Sequence, residues 1–274
     1  MRLWPWVAPL TAAGVATLVY GALGPANDLV LERRTLRLPK WPERLNGYRI
    51  GLLADLHVRD EFSVALCQKA VAAILNERPD VVVIAGDFVA WYKPSSPWLL
   101  EEVLSPFRAM PGYAIGVPGN HDYWEGDPRL LEPVLDDLGI TLLRNEVFRK
   151  DGIAFAGIDS ANALASDPFS TMAQAKGESP IVAIWHEPDL VDVLPDGAAL
   201  MLSGHSHGGQ FRFPWGWTPM HTRNGEIYVE GYYPNAPTPL YVSRGVGTTG
   251  PPSRLGALPE VTILELRNSE SLSR

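Results

Sequence analysis

The sequence predicts an α/β fold, and three features of it do so. Short, near-continuous runs of Val, Ile and Leu recur at 49–54, 81–85, 113–117, 181–185 and 200–203, and runs of that length and composition read as strands buried on both faces. Segments with helical apolar spacing lie between several of them, which gives strand–helix–strand units with right-handed crossovers. Each run also finishes on a residue able to bind a metal: Asp55, Asp87, Asn120, His186 and His205. In sheets of this kind ligands are bound beyond the carboxyl ends of the strands, so five strand ends should converge on one place.

The chain opens on a stretch, 3–23, with no charged residue. At about 1.5 Å per helical residue it spans roughly the 30 Å of a bilayer's hydrocarbon core. Trp4, Trp6 and Tyr20 suit interfacial positions, so residues 1–26 are expected to be a hydrophobic membrane-anchor helix. The rival is a cleaved signal ending near Gly24-Pro25-Ala26, although the apolar part exceeds the ~7–15 residues usual there. Arg2 precedes the stretch while Arg33, Arg34, Arg37 and Lys40 follow it. That asymmetry places the large domain on the cytoplasmic side if the anchor is retained; cleavage would export it.

Residues 27–274 then read as one domain, since 274 residues with 46% hydrophobic content suffice for a single large core. A first strand and turn at 36–41 lead into the strand carrying Asp55 and His57. Residues two apart in an extended segment point the same way, so that spacing aims a carboxylate and an imidazole together. Residues 62–76 form an amphipathic helix through Val64, Leu66, Val71, Ile74 and Leu75, closed by Pro79. The sole cysteine, Cys67, lies in it; no intrachain disulfide is possible and a buried thiol is expected.

After a Pro/Ser-rich loop at 91–97, a helix over 98–110 leads to the strand before Asn120. Asp127-Pro128 starts another helix, running to Gly139 with Pro133 just past its first turn. Strands follow at 141–143 and 153–158, the second ending in Asp159, read as a turn or cap residue. The connection 161–177 is a loop with a helix. Beyond His207, Gly208-Gly209 allows close backbone approach, and an aromatic cluster occupies 211–217. That cluster either packs over the sheet or forms an apolar lip facing lipid or an acyl substrate. Strands at 241–246 and 261–266 and a polar tail complete the chain, with no internal repeat. The formal charge of −8 and a pI near 5.3 argue against nucleic acid as a partner, since phosphate-backbone binding needs a basic face.

Asp55-x-His57, Gly86-Asp87, Gly119-Asn120-His121-Asp122, His186 and Gly204-His205-Ser206-His207 form an ordered set that takes in five of the six histidines. His221 is left without a role. In this order the blocks resemble the calcineurin-like metallophosphoesterase superfamily. The resemblance implies a four-layer α/β/β/α sandwich and two divalent metal ions. Asp55, His57 and His207 would hold one, Asn120, His186 and His205 the other, and Asp87 would bridge them. The mixed imidazole, carboxylate and amide ligands suit Mn, Fe or Zn better than Mg or Ca. The implied activity is phosphoester hydrolysis by a metal-bridging hydroxide. His121 is the candidate general acid or electrostatic stabiliser, Asp122 orients its ring or raises its pKa, and Arg244 either contacts the phosphate or sits in a structural ion pair.

The segments Gly208-Gly209-Gln210, 241–247 and 259–266 resemble a bacterial branch of membrane-associated or exported phosphodiesterases. A phosphodiester in a lipid, nucleotide-linked lipid or envelope precursor is the expected substrate, with phosphomonoester or phosphoprotein as the alternative. A non-catalytic binding protein on this fold is the reading from another class, but all seven ligand positions hold competent side chains. Ala90 departs from the branch, which usually carries an acid there. A mononuclear zinc protease or deaminase is poorly supported: there is no His-Glu-x-x-His or paired-cysteine pattern, and His186-Glu187 runs straight into Pro188.

Overall fold

The computed structural model of the chain describes residues 4–219, 221–250 and 252–269. Two six-stranded sheets lie at its centre. The first has the order β1 (Val30–Leu38), β12 (Glu260–Asn268), β2 (Tyr48–Leu53), β3 (Val81–Ala85), β4 (Ala114–Val117) and β5 (Ile140–Leu142). The second runs β10 (Gly231–Tyr233), β11 (Leu240–Val242), β9 (Leu200–Ser203), β8 (Ile181–Trp185), β7 (Ile153–Ile158) and β6 (Glu146–Lys150). β2 to β5 are mutually parallel, as are β7, β8, β9 and β11.

Three apolar layers follow from the period-two alternation of these strands. On β3, Val82 and Ile84 pack against the helical side, while Val81, Val83 and Ala85 face the other sheet. On β8, Val182 and Ile184 face inward, while Ile181, Ala183 and Trp185 pack outward. The outer layer of the first sheet is α2 (Glu61–Asn76) and α3 (Ser96–Leu104) with α4 (Glu132–Asp137). The second sheet is covered by α5 (Pro168–Gln174) and a 3₁₀ turn, Pro188–Val193. The expected four layers are therefore present.

α2 starts where Asp60 accepts from Ser63 N at 2.8 Å and Ser63 Oγ accepts from the Asp60 N–H, a reciprocal cap. Two expected helices are shorter than the sequence pattern suggests. The 98–110 helix gives way to a 3₁₀ turn, Ser105–Ala109, because Pro106 cannot donate to the preceding turn. The 127–139 helix breaks into Pro128–Leu130 and α4 because Pro133 can sit only in a first turn. β1 begins at Val30, earlier than expected. It is an edge strand, along which Arg33 and Arg34 are both exposed.

Residues Trp4–Leu23 are helical, as α1. Yet among the described residues no helix is long and apolar enough to cross a membrane, which corrects the weight given to the absence of charge. Two prolines, two glycines, two threonines, two tryptophans and a tyrosine between positions 4 and 23 dilute the Leu, Val and Ala on which membrane transfer depends. The side chains of Trp4 and Trp6, expected at an interface, and the tail from 270 lie outside the described residues.

Candidate metal centre

Five strands deliver the site. β2 ends two residues before Asp55, β3 two before Asp87, β4 three before Asn120, β8 immediately before His186 and β9 two before His205. Three belong to one sheet and two to the other, so the centre lies where the two sheets' carboxyl ends meet. Just past these ends the backbone turns sharply. Asp55, His57, Asp87, His205 and His207 all have φ between 46° and 72°. Left-handed backbone is disfavoured for residues with a Cβ, and such strain gathers at functional sites. At Gly119 even a Cβ is excluded, since it would stand 2.2 Å from Asp87 Oδ1.

Six of the seven expected ligand residues are brought together, and Asn120 lines the cavity over them. Asp55, His57, Asp87 and His207 present ligand atoms within 4.8 Å of one another, and so do Asp87, His186 and His205. Asp87 is common to both groups: its Oδ2 stands 3.4 Å from His57 Nε2 and 3.2 Å from His186 Nε2. Its Oδ1 accepts the His121 N–H at 2.8 Å, which fixes the carboxylate's rotation. Asp55 Oδ1 lies 3.4 Å from His207 Nε2, and both its oxygens accept from His205 N.

Hydrogen bonds on the far side of two of the rings set which nitrogen faces inward. His186 Nδ1 donates to Ala85 O at 2.6 Å, leaving Nε2 free. His205 Nε2 donates to Arg223 O at 2.8 Å, so Nδ1 faces His186 instead. Burial holds His57, His205 and His207 below the usual imidazole range and so neutral. Asp87 stays well below the usual carboxylate range: burial opposes this, but His186 and His121 outweigh it. Burial and the neighbouring Asp87 push Asp55 up to about 7.

This donor set suits divalent cations. Asn120 Oδ1 and His57 Nδ1 are buried without a hydrogen-bond partner, and ring nitrogens face each other at 3.0 Å between His57 and His207 and at 3.2 Å between His186 and His205. An amide oxygen left bare in the interior costs free energy unless something binds it.

A cavity of about 280 Å³ opens over the centre, lined by Asn120, His121, Trp124, Asn162, Arg223 and Thr249 among others. His121 meets His57 edge-on at 4.5 Å between ring centroids, and its Nδ1 donates to Ala90 O at 2.8 Å. The ring is thus oriented by a backbone carbonyl, and Asp122 is engaged elsewhere: its carboxylate accepts from Gly119 N and Val89 N and shapes the turn. Because the carbonyl does the orienting, alanine at position 90 costs nothing in this respect. Burial and Asp87 push Asp122 up to about 8.

Arg244 is not brought to this cavity. Its guanidinium is held by Glu260 at 2.9 Å, Glu32 at 3.4 Å and Glu230 at 3.7 Å, so the ion-pair alternative describes it and phosphate contact does not. Asp159, read as a cap, is buried and accepts from Tyr123 Oη at 2.8 Å and Arg144 Nε at 3.0 Å, tying down the turn that carries Asn120 and His121.

Several residues escaped the sequence reading. Glu187, fully buried, accepts from Ser160 Oγ and Asn162 N and so seats Asn162 beside His205. Its only signal was a carboxylate adjoining a ligand. Arg223 and Trp124 lie in polar loops and carry no sequence signal of their own.

A family model described as calcineurin-like phosphoesterase matches residues 48–209. Over 247 residues the chain is 28% identical to the uncharacterized metallophosphoesterase YkuE of Bacillus subtilis, covering 86% of this chain and 84% of that protein. It is 31% identical to the phosphodiesterase YaeI of Escherichia coli, covering 84% and 86% respectively. Against a zebrafish transmembrane protein with a metallophosphoesterase domain the identity is 30%, over 92% of this chain but only 60% of that one.

Proposed function

The chain belongs to the calcineurin-like phosphoesterase family, and on that footing we propose that it is a two-metal phosphodiesterase. The observation that carries the reading is Asp87, shared by two clusters of buried donors. Asp55, His57 and His207 would hold one cation and Asn120, His186 and His205 the other, with Asp87 serving both. The donor set admits Mn, Fe or Zn. Once bound, such a pair polarises phosphoryl oxygens and lowers the pKa of water at the site.

The remaining residues bind and move protons. Ala90 O can only accept, so His121 keeps a proton on Nδ1, and it is as the imidazolium that it carries a second proton, on Nε2, to give to the departing ester oxygen, leaving the neutral ring behind. Asp122 acts on the reaction through the turn it braces. Trp124, 51% exposed with its ring 3.6 Å from that of His121, gives one ester arm an apolar wall; this favours a diester over a monoester. Arg223 is exposed and makes no ion pair among the described residues, so it is free to meet an anionic oxygen.

Association with a membrane is part of the proposal. α1 exposes Val15, Val19 and Tyr20, and Trp215 and Trp217 are 72% and 55% exposed; apolar surface of this kind suits a lipid or envelope phosphodiester and an interfacial enzyme. The basic residues after α1, Arg33, Arg34, Arg37 and Lys40, support placing the domain at the cytoplasmic face, whose anionic lipids attract such charges. Flotation with anionic vesicles tests the association: protein left in the dense fractions removes it.

Turnover of bis-p-nitrophenyl phosphate and p-nitrophenyl phosphate by protein loaded with Mn, Fe or Zn tests the activity. The reading expects higher kcat/KM on the diester. Preference for the monoester would make the protein a phosphomonoesterase or phosphatase. A chain that binds no metal and turns over neither would be a binding member of the fold.

A further inference from the structure

Arg254 is fully buried and has no carboxylate partner among the described residues. A guanidinium in that position is costly unless its donors are satisfied. Here they go to main-chain oxygens. Nε donates to Gly247 O at 3.1 Å, Nη1 to Ala257 O at 3.0 Å, and Nη2 to Gly247 O at 2.5 Å, Arg244 O at 2.9 Å and Gly245 O at 3.1 Å. Nη1 and Nη2 also approach His207 O at 3.5 Å and His207 Nδ1 at 3.4 Å.

The segment so gathered, 244–247, stands directly behind two other candidate ligands. Val246 N donates to Ala54 O at 3.0 Å and Gly247 N to Asp55 O at 2.6 Å. Gly245 lies so close that a Cβ there, at φ +69°, would stand 2.5 Å from that of Asp55. Arg254 therefore touches His207 itself and grips the backbone that buttresses Asp55 and His57. Among the described residues nothing comparable links it to His186 or Asn120. From outside, Arg254 N donates to Gly21 O at the end of α1, at 3.4 Å.

We propose that Arg254 is a positioning residue for one half of the metal centre. It sets Asp55, His57 and His207 against one another, so that the affinity of the cation they share depends on a guanidinium that touches neither metal nor substrate. The inference rests on the two-metal reading above. A planar fork with five donors can satisfy several carbonyls at once, and a lysine ammonium cannot.

The test compares wild type with Arg254→Lys and Arg254→Met, each checked for folding by circular dichroism. Mn²⁺ is titrated by calorimetry and counted by elemental analysis. Wild type should hold two Mn²⁺ per chain. The variants should keep one at near wild-type affinity and bind the other at least tenfold more weakly. Folded variants that bind both ions as wild type does would overturn the inference, whereas a wild type that binds none would overturn the two-metal reading instead. Should neither variant fold, hydrogen exchange on the wild type decides. Mn²⁺ should slow the amides of 244–257 as well as those of the ligand loops, while β7 stays unchanged. An unaltered 244–257 segment would refute the coupling.

Discussion

Removing metal should make the protein's stability depend on pH in a direction set by Asp55. Its carboxyl has an ordinary value of 3.8 and is pushed up to about 7 in the fold, first by burial and then by Asp87. A raised carboxyl stabilises the metal-free fold fully below pH 3.8. That contribution declines as pH rises and is gone above about 7, because the unfolded chain releases its proton first. The difference corresponds to about 4 kcal/mol. Asp122, pushed up to about 8, acts in the same direction. A bound cation reverses the penalty by favouring the ionised carboxylate. Thermal unfolding at pH 5, 6, 7 and 8, in EDTA and in Mn²⁺, measures this. The metal-induced rise in Tm should widen with pH, by roughly 10 °C between the extremes for a chain of this size. Asp55→Asn should abolish that rise yet make the metal-free protein more stable than wild type at pH 8. A rise equal at all pH values, or largest at pH 5, would refute the reasoning.

Other substitutions probe the rest of the site. His186→Ala removes a donor adjoining Asp87; bound metal should drop below two ions per chain by elemental analysis and diester turnover should fall by at least ~10³-fold. His121→Gln should leave metal content unchanged and lower kcat by about 10²–10⁴-fold; as a general-acid loss, this should be larger for alkyl than for p-nitrophenyl leaving groups in steady-state assays. Arg223→Ala should raise KM about tenfold with little change in kcat, as loss of an exposed charge contact at the rim predicts. In the core between the sheets, Phe155, fully buried, should cost about 3–5 kcal/mol when truncated to alanine, read as a lower denaturation midpoint with an unchanged denaturant slope.

Much of the site is legible in the sequence because its chemistry is local. A buried strand announces itself as an unbroken apolar run, and a ligand placed at its end stands out as the first polar residue after the run. Gly86-Asp87 and Gly204-His205-Ser206-His207 are short enough that the turn and the donors are read together. Prolines were less well read. Pro106 and Pro133 fell inside patterns that otherwise continue, and the helices stopped at them. β6 went unseen because Glu146–Lys150 is a polar edge strand, although the Asp151-Gly152 pair that follows was a hairpin signal.

The chain's own order of residues determined the donors, the strand ends that carry them and the α/β class, since apolar period and turn chemistry act over a few neighbours. Tertiary structure alone decided which partner each group meets. It put Arg244 among three glutamates, gave His121 to the carbonyl of Ala90 in place of Asp122, and buried Arg254 against carbonyls behind the metal ligands. The reason is physical: a carbonyl is borne by every residue, and a hydrogen bond to it across dozens of positions leaves no mark on the identity of the residue that accepts.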